Sequence, residues 1–256
     1  MIWMHFQINS AATKIPQPLD VLMPVYDPQG KRGTTDPGPY PALYLIHGSR
    51  MNSTAWLRGS MCETLTGDRP MAIIMPSICN SFGANMKWGS DYEDFLAQEL
   101  PTLCERMLAV KPGRDNRAVA GLSMGGHVAM NLGLNHPDVF GACASFSGAV
   151  NGRVLYTRGY HVDPQDIFGT PEEFEQSSYN LFETARRLGA QDGPKPRILL
   201  TCGEQDGWCV HNRALSRIMQ NAGLEHTLRT WPGAHNWQFW NESYALLLRW
   251  LDGQEV

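Results

Sequence analysis

Apolar residues in this chain gather in short continuous runs instead of alternating with polar ones. Pro41-Ala-Leu-Tyr-Leu-Ile-His-Gly48, Met71-Ala-Ile-Ile-Met-Pro76, Arg117-Ala-Val-Ala120, Ala142-Cys-Ala-Ser-Phe146 and Arg197-Ile-Leu-Leu-Thr-Cys202 each read as a strand covered on both faces. Trp3 to Ile8 and Leu19 to Tyr26 add antiparallel strands at an edge, and Glu225 to Trp231 supplies the last strand. Between them, apolar positions recur at three and four over Asp91 to Leu108, with Pro101 as an expected kink. Met124 to Asn135, Cys209 to Ala222 and Trp237 to Leu251 are the other helices. Strands alternating with helices predict an α/β fold, a mostly parallel, doubly wound sheet with helices on both faces. In such sheets functional loops lie at the carboxyl ends of the strands.

Two stretches break the rhythm. Asp27 to Pro39, rich in Gly and Pro, reads as a surface loop, and 148–179 is polar, with Arg153, Arg158, His161, Asp163 and Asp166 and no sign of a strand. A long insertion beside strand ends is either a cap over a site or a decorated loop. Without a repeat or a linker, residues 1–256 are expected to form one domain.

Composition narrows the classes. The 256 residues are 43% hydrophobic and 18% charged, and 21 basic against 25 acidic residues leave a net charge of -4. No basic run points to nucleic acid or to an anionic membrane surface, and no apolar stretch approaches the length of a membrane span. Met1 to Ile8 lacks the pattern of a secretory signal. Six cysteines, at 62, 79, 104, 143, 202 and 209, show no scaffold spacing, and Cys143 and Cys202 read as small core hydrophobes. The cytoplasm is the expected compartment, although a processed secreted protein would look the same. Homo-oligomerisation is left open.

Gly121-Leu-Ser-Met-Gly125 is a G-x-S-x-G pentad. Such a pentad arises by chance in roughly one chain in ten of this length, so its setting decides. A strand precedes it and a helix start follows, the context of a nucleophile elbow in which the serine hydroxyl is exposed at a sharp turn. Neither a G-x-G-x-x-G nor a Walker A lysine accompanies it, which argues against a nucleotide site. A hydroxyl nucleophile at Ser123 needs a base, and the base needs a carboxylate. Asp206, in the loop after strand 197–202, has the spacing of the acid, with Glu204 as competitor. His235, in Trp231-Pro-Gly-Ala-His-Asn-Trp237 between the last strand and the last helix, stands where a base is needed. His211 is its nearest rival. Edge-strand, helical or surface positions leave His5, His127, His136, His161 and His226 as poorer candidates. Two backbone donors for an oxyanion are expected at Met124 and at Ser49, with His47 holding the second loop. No metal or organic cofactor is expected, since Cys202, Cys209 and His211 lack a zinc-type pair spacing.

At this point the chain resembles the esterase family of α/β-hydrolases that includes tributyrin, feruloyl and acetyl esterases, S-formylglutathione hydrolases and mycolyltransferases. It is most similar to the bacterial tributyrin-esterase branch. The resemblance rests on ordered blocks over nearly the whole chain: Leu43-Tyr-Leu-Ile-His-Gly48, Asn52-Ser-Thr-Ala-Trp56, Trp88-Gly-Ser-Asp-Tyr92, Glu99-Leu-Pro101, Ala120-Gly-Leu-Ser-Met-Gly-Gly126, Ala144-Ser-Phe-Ser-Gly148, Cys202-Gly-Glu-Gln-Asp206 and Gly233-Ala-His-Asn-Trp237. It implies an α/β-hydrolase fold, a serine carboxylesterase acting on short-chain esters, and the same triad and oxyanion loop. There are departures. After His47-Gly48 the loop reads Ser-Arg-Met-Asn where relatives often carry a glycine, which turns Arg50 toward the acyl or leaving group. The loop after His47-Gly48 is not the Leu-Thr-Cys loop usual in S-formylglutathione hydrolases. Trp208 and Trp237, with Trp56 and Trp88, are candidates to line an apolar acyl pocket. A thioesterase or acyltransferase would share the triad, and a non-catalytic binding protein of the same fold is the reading from another class.

Overall fold

The computed structural model describes residues 1–157 and 162–256. Eight strands form one sheet: β1 (Ile2–Asn9), β2 (Pro16–Met23), β3 (Ala42–Ile46), β4 (Ala72–Pro76), β5 (Arg117–Leu122), β6 (Ala142–Phe146), β7 (Arg197–Gly203) and β8 (Thr227–Trp231). They are ordered β1-β2-β4-β3-β5-β6-β7-β8. β2 runs antiparallel to β1 and β4, and the remaining neighbours are parallel. The continuous apolar runs follow from this topology. Ala42, Tyr44 and Ile46 enter the core on one face of the sheet, whereas Leu43 and Leu45 enter the core on the other. Ala72 and Ile74 are split from Ile73 and Met75 in the same way.

The helices are α1 (Ala55–Gly59), α2 (Cys62–Thr66), α3 (Tyr92–Asp94), α4 (Leu100–Met107), α5 (Met124–Asn135), α6 (Pro164–Phe168), α7 (Pro171–Gln176), α8 (Leu181–Ala190), α9 (Cys209–Asn221) and α10 (Trp237–Leu251). The periodic stretch 91–108 is not one α-helix. A π turn, Phe95–Glu99, separates α3 from α4, and the Leu100 amide donates to the Phe95 carbonyl five residues back. Pro101 has no amide to continue the ladder and its ring crowds the carbonyl four residues earlier. The widened turn relieves both constraints where a kink was expected. α8 was not anticipated, although Leu181, Ala185 and Leu188 form its buried stripe.

The 148–179 stretch contains no strand among the described residues. Arg158 and His161 lie outside them. The stretch is less polar in effect than its composition suggests, because Leu155, Ile167, Phe168 and Phe174 are buried. The Lys87 and Trp88 amides donate to the Ile167 and Asp166 carbonyls at 2.9 Å, which ties it to the segment after β4. All six cysteines are free thiols, with Cys143 and Cys202 buried in the core. No helix among the described residues is long and apolar enough to cross a membrane.

Candidate active site

β5 delivers the chain to Ser123, whose φ of 55° and ψ of -114° lie in a region that side chains rarely adopt. The strain is held by a dense set of backbone bonds. The Ser123 amide donates to the Phe146 carbonyl at 2.9 Å, and its own carbonyl accepts from Gly126, His127 and Ala149 at 3.0–3.2 Å. A side chain on Gly121 would meet the Gly125 carbonyl at 2.4 Å, so the elbow closes this tightly only with glycine. α5 then runs through the protein interior, buried from Met124 to Leu134, and its amino terminus points its amides back at the serine.

The loops after β7 and β8 are stitched together. The Glu204 amide donates to the Trp231 carbonyl at 3.0 Å, the Gln205 amide to the Gly233 carbonyl at 3.0 Å, and the Gly233 amide to Gln205 Oε1 at 2.6 Å. This brings His235 Nδ1 to 2.7 Å from Asp206 Oδ2. The other carboxylate oxygen, Oδ1, accepts the Trp208 amide at 2.9 Å. Burial alone would raise the pKa of Asp206. The His235 ring and the Trp208 amide outweigh it and hold the carboxyl below its usual range. The Ser147 hydroxyl forms no well-shaped hydrogen bond, yet it faces the carboxylate and adds to this effect. The His235 ring stands edge-on to Trp240, 5.0 Å between centroids, and Asn236 caps α10 by accepting the Phe239 amide at 3.1 Å.

The loop after β3 approaches from the other side. A side chain on Gly48 would lie 2.6 Å from Leu122, and one on Gly125 would lie 2.4 Å from the Ile46 carbonyl. The two glycines thus allow the Ser49 loop and the elbow to touch. Among the described residues neither the Ser49 nor the Met124 amide has a hydrogen-bond partner. His47 braces the loop, with Nδ1–H donating to the Gly48 carbonyl at 2.7 Å and Nε2 accepting the Ile78 amide at 3.0 Å. Burial pushes its pKa down to about 4, so it is neutral at neutral pH and both bonds are satisfied. Asn80, which the sequence did not single out, accepts the Arg50 amide on Oδ1 at 2.7 Å.

The competing residues are engaged elsewhere. Glu204 is exposed and 3.9 Å from Arg213. His211 Nδ1 lies 3.2 Å from Asn151 Nδ2, and its ring packs against Trp208. His5 meets Asp20, His136 meets Glu93, and His226 meets Ser216. His127 is fully buried between Phe82 and Phe168, with its pKa lowered to about 4 by that burial. The tryptophans separate into different roles. Trp56 is core, its Nε1 donating to the Ile46 carbonyl at 3.1 Å, and Trp88 is solvent-exposed. Trp208 is buried beside the acid loop, and Trp237 lines a cavity of about 440 Å³ together with Arg50.

An acetyl esterase of Caldicellulosiruptor saccharolyticus is 26% identical over 240 residues, covering 90% of each chain. Among solved structures, the fluorophosphonate-binding serine hydrolase FphF of Staphylococcus aureus superposes with a TM-score of 0.89 at 22% identity over 98% of both chains. The S-formylglutathione hydrolase FrmB of the same organism superposes with a TM-score of 0.86, also at 22% identity and 98% coverage of each chain. Those likenesses place the chain on the α/β-hydrolase fold, and the family described as Putative esterase matches residues 19–251, so the chain belongs to this esterase family.

Proposed function

We propose that the protein hydrolyses short-chain carboxylic esters through an acyl-enzyme on Ser123. The observation that carries this reading is the 2.7 Å contact between His235 Nδ1 and Asp206 Oδ2, on loops that leave the same carboxyl edge of the parallel sheet as the Ser123 elbow. With Nδ1–H fixed on a charged carboxylate, His235 Nε2 is left as the base. It takes the Ser123 proton as the hydroxyl oxygen attacks the ester carbonyl, and the imidazolium is stabilised by Asp206. The free amides of Ser49 and Met124 receive the oxyanion. Collapse of the tetrahedral intermediate expels the alcohol, which takes the proton back from His235, and water repeats the sequence on the acyl-enzyme. No cofactor enters this scheme. The free thiols fit a reducing, cytoplasmic setting.

Ser123→Ala is expected to lower kcat by on the order of a millionfold with the fold intact, and a fluorophosphonate is expected to label Ser123 alone. Label on a different serine would overturn the assignment. The preference for acetyl to butyryl esters is supported by the likeness to an acetyl esterase and by an insertion in which Leu155, Ile167, Phe168 and Phe174 are already buried. Each methylene that fits should gain about 0.8 kcal/mol until the pocket is full. A kcat/KM series from C2 to C12 esters is therefore expected to peak at or below C4, and a peak at C8 or beyond would refute the short pocket.

A further inference from the structure

The groove beside the Ser49 loop is lined by Arg50, Met51, Asn52, Thr54, Arg58 and Trp237, among others, and by no carboxylate. It connects the two loops that matter most to the esterase reading, since Arg50 follows Ser49 and Trp237 lies two residues beyond His235. We propose that this groove is an anion subsite, in which Arg50 and Arg58 select esters that carry a carboxylate or similar negative group close to the scissile bond. The inference rests on the esterase reading of the same site.

Two features place both arginines on this groove. A side chain on Gly59 would lie 2.2 Å from the Trp237 ring, so α1 packs its glycine directly on the indole and carries Arg58 to the edge of the groove. That indole is fixed edge-on between Trp56 and Trp240, with centroids 5.4 and 5.2 Å away. Arg50 reaches the same groove from a backbone with φ of 60°, a conformation that costs an L-residue energy and that glycine would adopt freely. Asn80 pins its amide there.

Several arginines, Arg32, Arg106 and Arg217 among them, make no ion pair among the described residues, and what marks Arg50 and Arg58 is that they line one groove with no carboxylate. Arg69, Arg114, Arg117 and Arg213 each have a carboxylate partner. Among the described residues, neither Arg50 nor Arg58 makes an ion pair or a side-chain hydrogen bond. The chain as a whole carries four more acidic than basic residues, so a cavity lining with two cations and no acid departs from its average surface. Guanidinium forks bind carboxylates and phosphates bidentately, and the Trp237 wall limits competition from water on one side. The charged group could sit on the acyl or on the alcohol part of the ester, and the chemistry is the same.

Two matched substrate pairs separate these sources. For the alcohol side, 4-acetoxybenzoate is compared with 4-acetoxybenzamide; for the acyl side, monomethyl succinate is compared with methyl succinamate. Within each pair size is conserved and charge is not. Wild-type enzyme, normalised by fluorophosphonate titration, should prefer the anionic member in at least one pair by about tenfold in kcat/KM. That ratio should fall toward one in Arg50→Gln and Arg58→Gln, survive in Arg58→Lys, and shrink as ionic strength rises. Equal kcat/KM within both pairs, or a preference that survives in the double Gln variant, overturns the subsite. Hydrolysis of the two amides without anionic preference removes only this inference. Failure to hydrolyse any of the four esters and p-nitrophenyl acetate removes the esterase reading with it.

Discussion

At the amino ends of β3, β5 and β7, cations are matched to acceptors around a cavity of about 490 Å³. Arg117 Nε donates to Glu105 at 2.7 Å, Arg69 lies 3.2 Å from Asp252, and Arg197 donates to the Trp250 carbonyl with its guanidinium over the Trp250 ring. The carboxyl ends of the same sheet are built in the opposite way. Among the described residues, Arg50, Cys79, Phe82, Ser123 and Ser147 hold positive φ without being glycine, all in the loops that follow β3, β4, β5 and β6. Lys14, in the β1–β2 turn, is the exception elsewhere. Here the Ser49 and Met124 amides are unpaired and two arginines lack carboxylates. The cavities at the two ends are similar in volume, so size does not identify the site. Strain and unpaired polar groups favour the carboxyl end, because each costs stability and persists only where something else requires it.

The largest effects should fall at the carboxyl end and should concern rate. Asp206→Asn and His235→Ala are each expected to lower kcat by on the order of 10⁴-fold or more. Glu204→Gln and His211→Ala, whose side chains are bonded away from the elbow, should stay near wild type. Steady-state kinetics on one acetyl ester, with each protein checked for folding by circular dichroism, makes the comparison. If His211→Ala proved as damaging as His235→Ala, the base would have to be reassigned.

Stability against acid is the next effect in size, and it also originates under the carboxyl end. His47 and His127 ordinarily titrate near 6.5, and burial lowers both to about 4 in the folded protein. Between those values the unfolded chain binds a proton at each position and the folded chain does not. Their contribution is therefore complete above pH 6.5 and is lost as pH falls toward 4, by roughly 3 kcal/mol for each histidine. The depressed Asp206 carboxyl acts in the same direction, but only as pH falls below its ordinary value of 3.8. Urea unfolding at pH 7.5 and 4.5 should show the loss, and equal stabilities at the two values would contradict it.

Much of this architecture was legible along the chain, and the reasons for the gaps are physical. The limits of α5, α10 and β6 coincide with the runs read from sequence, because each is bounded by a turn-forming segment or by the elbow itself. The Asp206–His235 bond follows from two loops whose positions depend only on strand order. Asn80, Ser147 and Arg58 could not be found in this way. Each matters through a crossing between distant segments, and nothing in its local sequence marks that crossing. The one available signal for Asn80 was its place just past the end of β4, the strand beside β3. The buried Phe168 and Phe174 were masked by the charged residues around them.

The smallest effect tests the amino end. Arg117 and Glu105 are both largely buried, at 14% and 16% side-chain exposure, and Arg117 Nη1 also donates to the Val139 carbonyl at 3.3 Å. Arg117→Leu would leave the Glu105 carboxylate without its partner in a poorly solvated place, at a cost of about 1–3 kcal/mol. Adding Glu105→Leu removes the stranded charge, so the double variant should recover part of that loss. Neither change should move kcat/KM per titrated active site by more than about twofold, because Arg117 opens β5 and the elbow lies past its other end. Denaturant unfolding and active-site-titrated kinetics on the same samples separate the two quantities. A tenfold fall in kcat/KM for Arg117→Leu would mean that the two ends are coupled through the strand. The division between a stabilising end and a reactive end would then fail.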